Sequence, residues 1–543
     1  MKDLNHKDAP LYAELLRYAA RQEASFHVPG HKDGNFYRDI EGKAPYGFAE
    51  VLSIDATEIE GTDDLHDPEG VIREAQEKAA AFFGAEETFF LVGGSTVGNL
   101  ALILTVCSEP GDILIVQRNV HKSVLNGLML AGARAVFVSP EHESLSGLAM
   151  LPGTALLEQA LERYPEAKGV LLTRPNYYGM GRSIRETSGL CHRYEVPLLV
   201  DEAHGAHYGL HSAFPASALA EGADGVVQST HKMLGAMTMG AMLHVQGERL
   251  DRDLLRKRLA MVQSSSPSYP IMASLDLARS AAEQRGEEGW NDALEAAAYI
   301  RTELEQLPRF SYVRPIRSYQ DNSRTISSNM DSRYAEQDPF KISVEDVEER
   351  LSGYELQQRI ADAGCVAEMS DERRTVLALG PGTGMDDAVR LIAALRELQE
   401  EAEEKKTDIA LEQQIREQSP FEQNADFASA SSIARDMPPA ISEPVGFDLR
   451  QSAAHETVPT ETAAGRIAAE MIVPYPPGIP LVYAGERMTE SAVAHLIRLR
   501  DTGARFQGAS DASLKTLRVQ TSSPQRQAKN QMIESRQKKD RRR

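Results

Sequence analysis

A chain of 543 residues, 42% of them apolar, exceeds what one compact core supports and reads as two or three domains of ordinary globular composition. Its formal net charge of -21 disfavours general nucleic-acid binding, and three widely spaced cysteines, Cys107, Cys191 and Cys365, fit neither a disulfide framework nor a zinc site. The start lacks the apolar run of a signal peptide and no uncharged apolar stretch reaches the ~20 residues of a membrane span, so the cytoplasm is the expected compartment.

Residues 1–65 form a mixed N-terminal segment with a helix predicted over Leu11–Ala24, followed by the turn Phe26-His27-Val28-Pro29-Gly30-His31-Lys32. From about Asp67 the pattern alternates. Helix Val71–Phe83 leads to strand Thr88–Val92, helix Val97–Cys107 to strand Asp112–Val116, and helix Ser123–Ala131 to strand Ala135–Val138. Helix Gly153–Tyr164, strand Gly169–Thr173, helix Ile184–Tyr194 and strand Pro197–Val200 continue it, so residues 66–269 read as a mostly parallel sheet covered on both faces. Residues 270–400 read as a smaller α/β domain, with helical spacing over Val344–Ala363, interrupted at Ser352-Gly353, then strand Arg374–Leu379 and helix Asp386–Leu398. A solvated charge run ends that helix, 401–440 reads as a polar connecting segment, 441–520 as a C-terminal module and 521–543 as a basic, disordered tail.

Two short apolar strands end in chemistry. Leu199-Val200-Asp201-Glu202-Ala203-His204 closes on acids, and Val226-Val227-Gln228-Ser229-Thr230-His231-Lys232 closes on a lysine. A carboxylate at the C-terminal end of a central strand can keep a pyridine nitrogen protonated, and a lysine in apolar surroundings, its amine pKa depressed by burial, can attack an aldehyde. The pair therefore points to pyridoxal 5'-phosphate, with Ser229 and His231 facing its phosphate. Read singly, Asp201 is also a good helix N-cap and Lys232 a surface lysine. Gly93-Gly94-Ser95-Thr96-Val97-Gly98-Asn99 opens a helix after a strand and offers hydroxyls and free amides to an anion. His121, in Arg118-Asn119-Val120-His121-Lys122-Ser123, is placed either to lie on the pyridine ring or to cap a helix. His204 and His207 stand near the sheet edge, and Tyr177-Tyr178 reads as core or substrate wall.

Other chemistries lack their parts. Asp201-Glu202-Ala203-His204 spells a helicase acidic box, but no phosphate loop ending Gly-Lys-Ser/Thr accompanies it. No His-Glu-x-x-His or close Cys/His cluster supports a metal, and no Gly-x-Ser-x-Gly follows a strand.

Taken in order, these segments resemble the Orn/Lys/Arg decarboxylase family, in its short Gram-positive form. Asp63-Asp64-Leu65-His66, Pro175-Asn176-Tyr177-Tyr178-Gly179, Gln263-Ser264-Ser265-Ser266-Pro267-Ser268-Tyr269-Pro270 and Val473-Pro474-Tyr475-Pro476-Pro477-Gly478-Ile479-Pro480 complete the match. The resemblance implies the α/β fold type I of pyridoxal-phosphate enzymes, with a mostly parallel seven-stranded sheet in the large domain, a small α/β domain and a C-terminal decarboxylase module. It implies that Lys232 holds the cofactor as a Schiff base, Asp201 the ring nitrogen, His121 the ring face, and Ser95, Thr96, Ser229 and His231 the phosphate. His204 flanks the cofactor, and either His204 or Lys232 returns the proton to Cα. Ser265 is expected to reach the phosphate of a neighbouring subunit, in a homodimer with its sites at the interface. Where the family has Asn or Asp before the proline of the Pro-x-Tyr-Tyr-Gly segment, this chain has Arg174, expected behind the pocket.

The implied reaction is decarboxylation of a basic L-amino acid. Arginine to agmatine, feeding polyamine synthesis, is the first choice; lysine follows closely, then ornithine. A fold-type-I aminotransferase and a scaffold without chemistry are the alternatives.

Overall fold

The computed structural model describes residues 8–21, 24–37, 48–314, 335–416, 440–447, 454–475, 480–501 and 503–521. The basic tail, most of the connecting segment, and Pro476–Ile479 of the proline-rich motif lie outside the described residues.

Seven strands of the large domain are β1 (Glu87–Leu91), β2 (Ile113–Gln117), β3 (Arg134–Val138), β4 (Val170–Thr173), β5 (Leu198–Asp201), β6 (Gly225–Gln228) and β7 (Ala241–Val245). The smaller domain adds β8 (Phe310–Tyr312), β9 (Lys341–Asp346), β10 (Met369–Ser370) and β11 (Arg374–Ala378), and β12 (Val445–Gly446) follows. The large sheet runs β1-β7-β6-β5-β4-β2-β3-β12. Pairs β6-β5, β5-β4, β4-β2 and β2-β3 are parallel, whereas β7 is antiparallel to both neighbours. Among the described residues the sheet thus has eight strands where seven are expected, because β12 pairs Val445 with Ala135 and caps the edge of β3. Capping leaves that edge strand without an open row of backbone donors and acceptors.

Alternate residues of the central strands pack into two cores, as the continuous apolar runs require. Leu114, Val116, Phe137, Leu171, Leu199 and Val227 join one core, which also holds Ala101 and Leu102 of helix Gly94–Val106 and Leu125 of helix Lys122–Ala131. Ile113, Ile115, Val136, Leu172, Val200 and Val226 join the other, with Leu157 and Leu190 from helices Thr154–Arg163 and Arg185–Arg193. Helix Gly94–Val106 begins three residues before the predicted Val97, on the second glycine, and sits flush on the sheet. A Cβ on Gly98 would stand 2.8 Å from both Leu91 and Val227.

The predicted helix over 344–363 is half wrong. Its first part is strand β9, and the helix is confined to Gly353–Asp362 behind a Ser352–Glu355 capping box. Ile342 and Val344 share a face of β9 and enter the small-domain core with Phe340 and Trp290, a period of two that the helical spacing masked. The charge run at 400–406 does not end the following helix either. That helix runs Met385–Arg416, crossing the expected boundary at 400.

Candidate active site

The functional side chains gather at the C-terminal ends of β5 and β6, where parallel sheets leave a crevice. Asp201 ends β5 and Ser229 follows β6, with Thr173 of β4 opposite Asp201. Asp201 is 3% exposed. Its Oδ2 accepts the Asn99 amide at 2.8 Å and its Oδ1 accepts the backbone N–H of Ala203 at 3.2 Å, so both oxygens are oriented. Asn99 also donates to Oγ of Ser123 at 3.0 Å, tying together three segments that the sequence keeps apart.

Lys232 departs from expectation in one respect. Met233 and Leu234 beside it are buried, but Lys232 itself is open to solvent in the crevice. Surrounding protein nevertheless lowers its amine pKa by desolvation, against the opposing charges of Asp201 and Glu368. An amine that must meet an incoming carbonyl needs that combination of access and crowding. Its Nζ lies 3.2 Å from Nε2 of buried His204. Burial, reinforced by Lys232 and Lys341, holds His204 well below the usual imidazole pKa, hence neutral.

The glycine turn is tied to the lysine loop, since the Gly94 N–H donates to the Met239 carbonyl at 2.8 Å and His231 Nδ1 lies 2.9 Å from the Gly240 carbonyl. Ser95 and Thr96 occupy the first turn of their helix, half-buried, beside N–H groups with no intrahelical partner. Ser229 is fully buried and its Oγ has no partner among the described residues. An orphaned hydroxyl beside a helix N-terminus is what a phosphate would satisfy, so this set of residues fits pyridoxal phosphate.

His121 does cap its helix: its Nδ1 accepts the Ser123 N–H at 3.2 Å and lies 2.9 Å from Ser123 Oγ. Capping does not remove it from the crevice, for its imidazole pKa is lowered first by burial and then by Lys232, while Asp201 acts in the opposite sense. The C-terminal module grips the same segment from outside. Arg118 pairs with Glu486, Tyr483 donates to the Arg118 carbonyl, and Lys122 donates to Gln507 at 3.0 Å.

Ser265 is exposed and makes no hydrogen bond to this cluster among the described residues. His207 is a core histidine, bonded to Asp338 at 3.0 Å among Phe214, Trp290 and Phe340. Tyr177 stands against the His204 ring with centroids 4.9 Å apart, whereas Tyr178 turns away to donate to Asp371 at 2.6 Å. Arg174 lies buried behind the acid strand, 2.7 Å from Glu336, 3.4 Å from Glu202 and 3.7 Å from Glu221. Three groups escaped the sequence reading: Asn99, Lys341 and Glu368. Lys341 is 2% exposed with Nζ 3.4 Å from Nδ1 of His204. Glu368, exposed, raises the pKa of Lys232, His231 and Lys341.

The family model described as Orn/Lys/Arg decarboxylase, major domain, matches residues 9–386, and that of the C-terminal domain matches residues 435–515. The chain belongs to the Orn/Lys/Arg decarboxylase family. Over 514 residues it is 40% identical to the protein YaaO of Bacillus subtilis (strain 168), covering 94% of this chain and 98% of that one. An arginine decarboxylase of the same strain is 33% identical over 517 residues, with coverages of 95% and 98%. In fold it is similar to the lysine decarboxylase LdcF of Francisella novicida, at a TM-score of 0.74 and 20% identity over 94% of this chain and 81% of that one. Within this decarboxylase family the mixed α/β fold with a large, mostly parallel sheet is shared, and the fold class read from the sequence stands. Among the described residues no helix is long and apolar enough to cross a membrane.

Proposed function

We propose that this protein is a pyridoxal-phosphate-dependent carboxy-lyase that converts arginine to agmatine and carbon dioxide. The observation that carries the reading is the pairing, at the ends of adjacent parallel strands, of a solvent-reached lysine with an oriented, buried carboxylate: Lys232 and Asp201. Arginine is preferred over lysine because the full-length relative at 33% identity is an arginine decarboxylase. Lysine is the second reading, supported by a lysine decarboxylase of Pseudomonas aeruginosa at 25% identity.

In this reading Asp201, oriented by Asn99 and the Ala203 N–H, would hold the ring nitrogen, and His121 would cover the ring. Ser95, Thr96, Ser229 and His231 would hold the phosphate with the N–H groups of the helix at Gly94. When bound, the cofactor accepts the electrons of the breaking Cα–carboxylate bond into its ring. Lys232 would hold the cofactor aldehyde through Nζ and would give way to the amino group of the substrate. Nε2 of His204, or Nζ of Lys232, delivers the proton that replaces carbon dioxide at Cα.

A homodimer is supported by apolar side chains left open on the N-terminal region, Phe26, Val28, Phe36 and Phe48, and by the exposure of Ser265, which then faces a second copy's phosphate. Cytoplasmic action follows from the sequence, as does the domain division, except that helix Met385–Arg416 carries the small domain past residue 400 and Val445–Gly446 joins the large sheet. Incubating the reconstituted protein separately with arginine, lysine and ornithine, and measuring carbon dioxide and amine, tests the activity. Agmatine as the fastest product supports it; no amine from any of the three contradicts it. Conversion of the cofactor to its aminated form would instead assign an aminotransferase.

A further inference from the structure

His204 is touched by an amine at each ring nitrogen: Lys232 Nζ lies 3.2 Å from Nε2 and Lys341 Nζ lies 3.4 Å from Nδ1. A neutral imidazole has one N–H and one lone pair, and an ammonium has only donors. Both contacts are hydrogen bonds only when one amine donates to the ring and the other accepts from it. Lys232 must expose a lone pair to attack a carbonyl, so it is the acceptor and Lys341 the donor. The surroundings agree. Lys341 is shut in, and although burial lowers its amine pKa, the charges of Asp338 and Glu368 act to keep it protonated, while Lys232 opens to the crevice.

The position of Lys341 is built by a second feature. Gly179 has φ +79°, and a Cβ there would stand 2.5 Å and 2.6 Å from Cβ and Cγ of Lys341. The Pro175–Gly179 loop therefore closes directly over the lysine stem, an approach open to glycine alone. From the same loop Tyr177 packs on the His204 ring. One loop clamps both the lysine stem and the imidazole.

We propose that Lys341 is a positioning residue: its ammonium donates to Nδ1 of His204, fixes the ring as the Nε2–H tautomer, and aims that N–H at the Lys232 nitrogen, which accepts it only when unprotonated. The inference rests on Lys232 being the cofactor lysine. Lys232 then stays a free amine for two reasons, since an N–H faces it and a cation lies behind that ring. The charged and titratable groups acting on this trio are Asp201, Glu368, His121, His231 and Asp338.

The test uses the full chain without cofactor, with 15N-labelled histidine; the His204 signals are assigned by their loss in His204→Gln. In the wild type the expected spectrum has Nε2 protonated and Nδ1 bare. Lys341→Met should mix the tautomers, and Lys341→Arg should restore the single form. In parallel, trace acetylation of Lys232 is followed against pH by peptide mass spectrometry. In Lys341→Met the midpoint should rise by about one unit, a roughly tenfold loss of reactivity at neutral pH. A wild-type His204 carrying its proton on Nδ1 overturns the proposal, whatever the variants do. So does a Lys341→Met protein whose tautomer and labelling profile are unchanged while its other histidine signals stay in place. Failure of Lys232 to capture the cofactor, with the His204 tautomer as stated, would count against the cofactor assignment and not against Lys341.

Discussion

The Asn99 amide lies 2.8 Å from Oδ2 of Asp201, and the same nitrogen reaches Oγ of Ser123 at 3.0 Å. One side chain on the helix after the glycine turn thus orients the acid that ends β5 and the segment that carries His121. Asn99→Ala leaves a buried carboxylate oxygen without its donor. A hydrogen bond to a charged group contributes ~1.5–3 kcal/mol, so cofactor affinity should fall roughly 10- to 100-fold with the fold retained. Fluorescence titration of pyridoxal phosphate into the cofactor-free variant measures this, and an unchanged affinity removes Asn99 from the account.

Arg174 is fully buried among Glu202, Glu221 and Glu336. Burial raises the Glu202 carboxyl to about 7 even with Arg174 opposing it, so the arginine is what keeps these acids together. Arg174→Asn should therefore cost about 3–5 kcal/mol, the range for breaking a buried ion pair from one side. Adding Glu336→Gln should recover part of that loss. Urea unfolding of both variants checks it; a neutral Arg174→Asn would mean that the acids find other partners.

His244, buried between Thr88 and Gln228, has its imidazole held down to about 3 by desolvation. Between about pH 6.5 and 3 the unfolded chain binds a proton at this position that the folded chain refuses. Stability is therefore present above the unfolded pKa and is lost as pH falls, by up to ~1.4 kcal/mol per pH unit from this residue. His244→Gln should flatten the acid limb of stability against pH by about that slope. Urea midpoints measured from pH 7 down to pH 4 report it, and an equal slope in the variant contradicts it.

Tyr483 of the C-terminal module stacks on Phe137 with centroids 4.5 Å apart and planes at 2°, and its hydroxyl donates to the Arg118 carbonyl. Tyr483→Ala should destabilise by about 3–5 kcal/mol, and Tyr483→Phe by about 1 kcal/mol. Because Arg118 begins the segment bearing His121, cofactor affinity should fall in the alanine variant as well. Stability loss without any change in affinity would confine the module to a structural role.

The parallel sheet was legible because its strands are short β-branched runs buried on both faces, between helices with clear periodicity. Asp201 and Lys232 were legible because each ends such a run in a residue that an apolar neighbourhood makes conspicuous. Lys341 was not. It opens β9, whose second half from Val344 was read as the start of a helix that holds only from Gly353. The overlooked signal is Asp338-Pro339-Phe340-Lys341 before an alternating run, since proline breaks a helix there and the alternation favours a strand. Asn99 lay inside a quoted motif, yet an amide facing inward from an otherwise apolar helix is itself a sign of a buried partner. The eighth strand and the grip of Tyr483 and Gln507 on residues 118–122 join parts of the chain far apart in sequence, and no local pattern announces such pairings.

The central claim is that the Lys232 nitrogen captures the cofactor aldehyde. Reconstituting the full chain with pyridoxal phosphate, reducing with borohydride and locating the added mass by peptide mass spectrometry tests it directly. The adduct is expected on the peptide containing Lys232, and none on that peptide in Lys232→Ala. An adduct elsewhere with Lys232 unmodified, or equal trapping in the alanine variant, would contradict it.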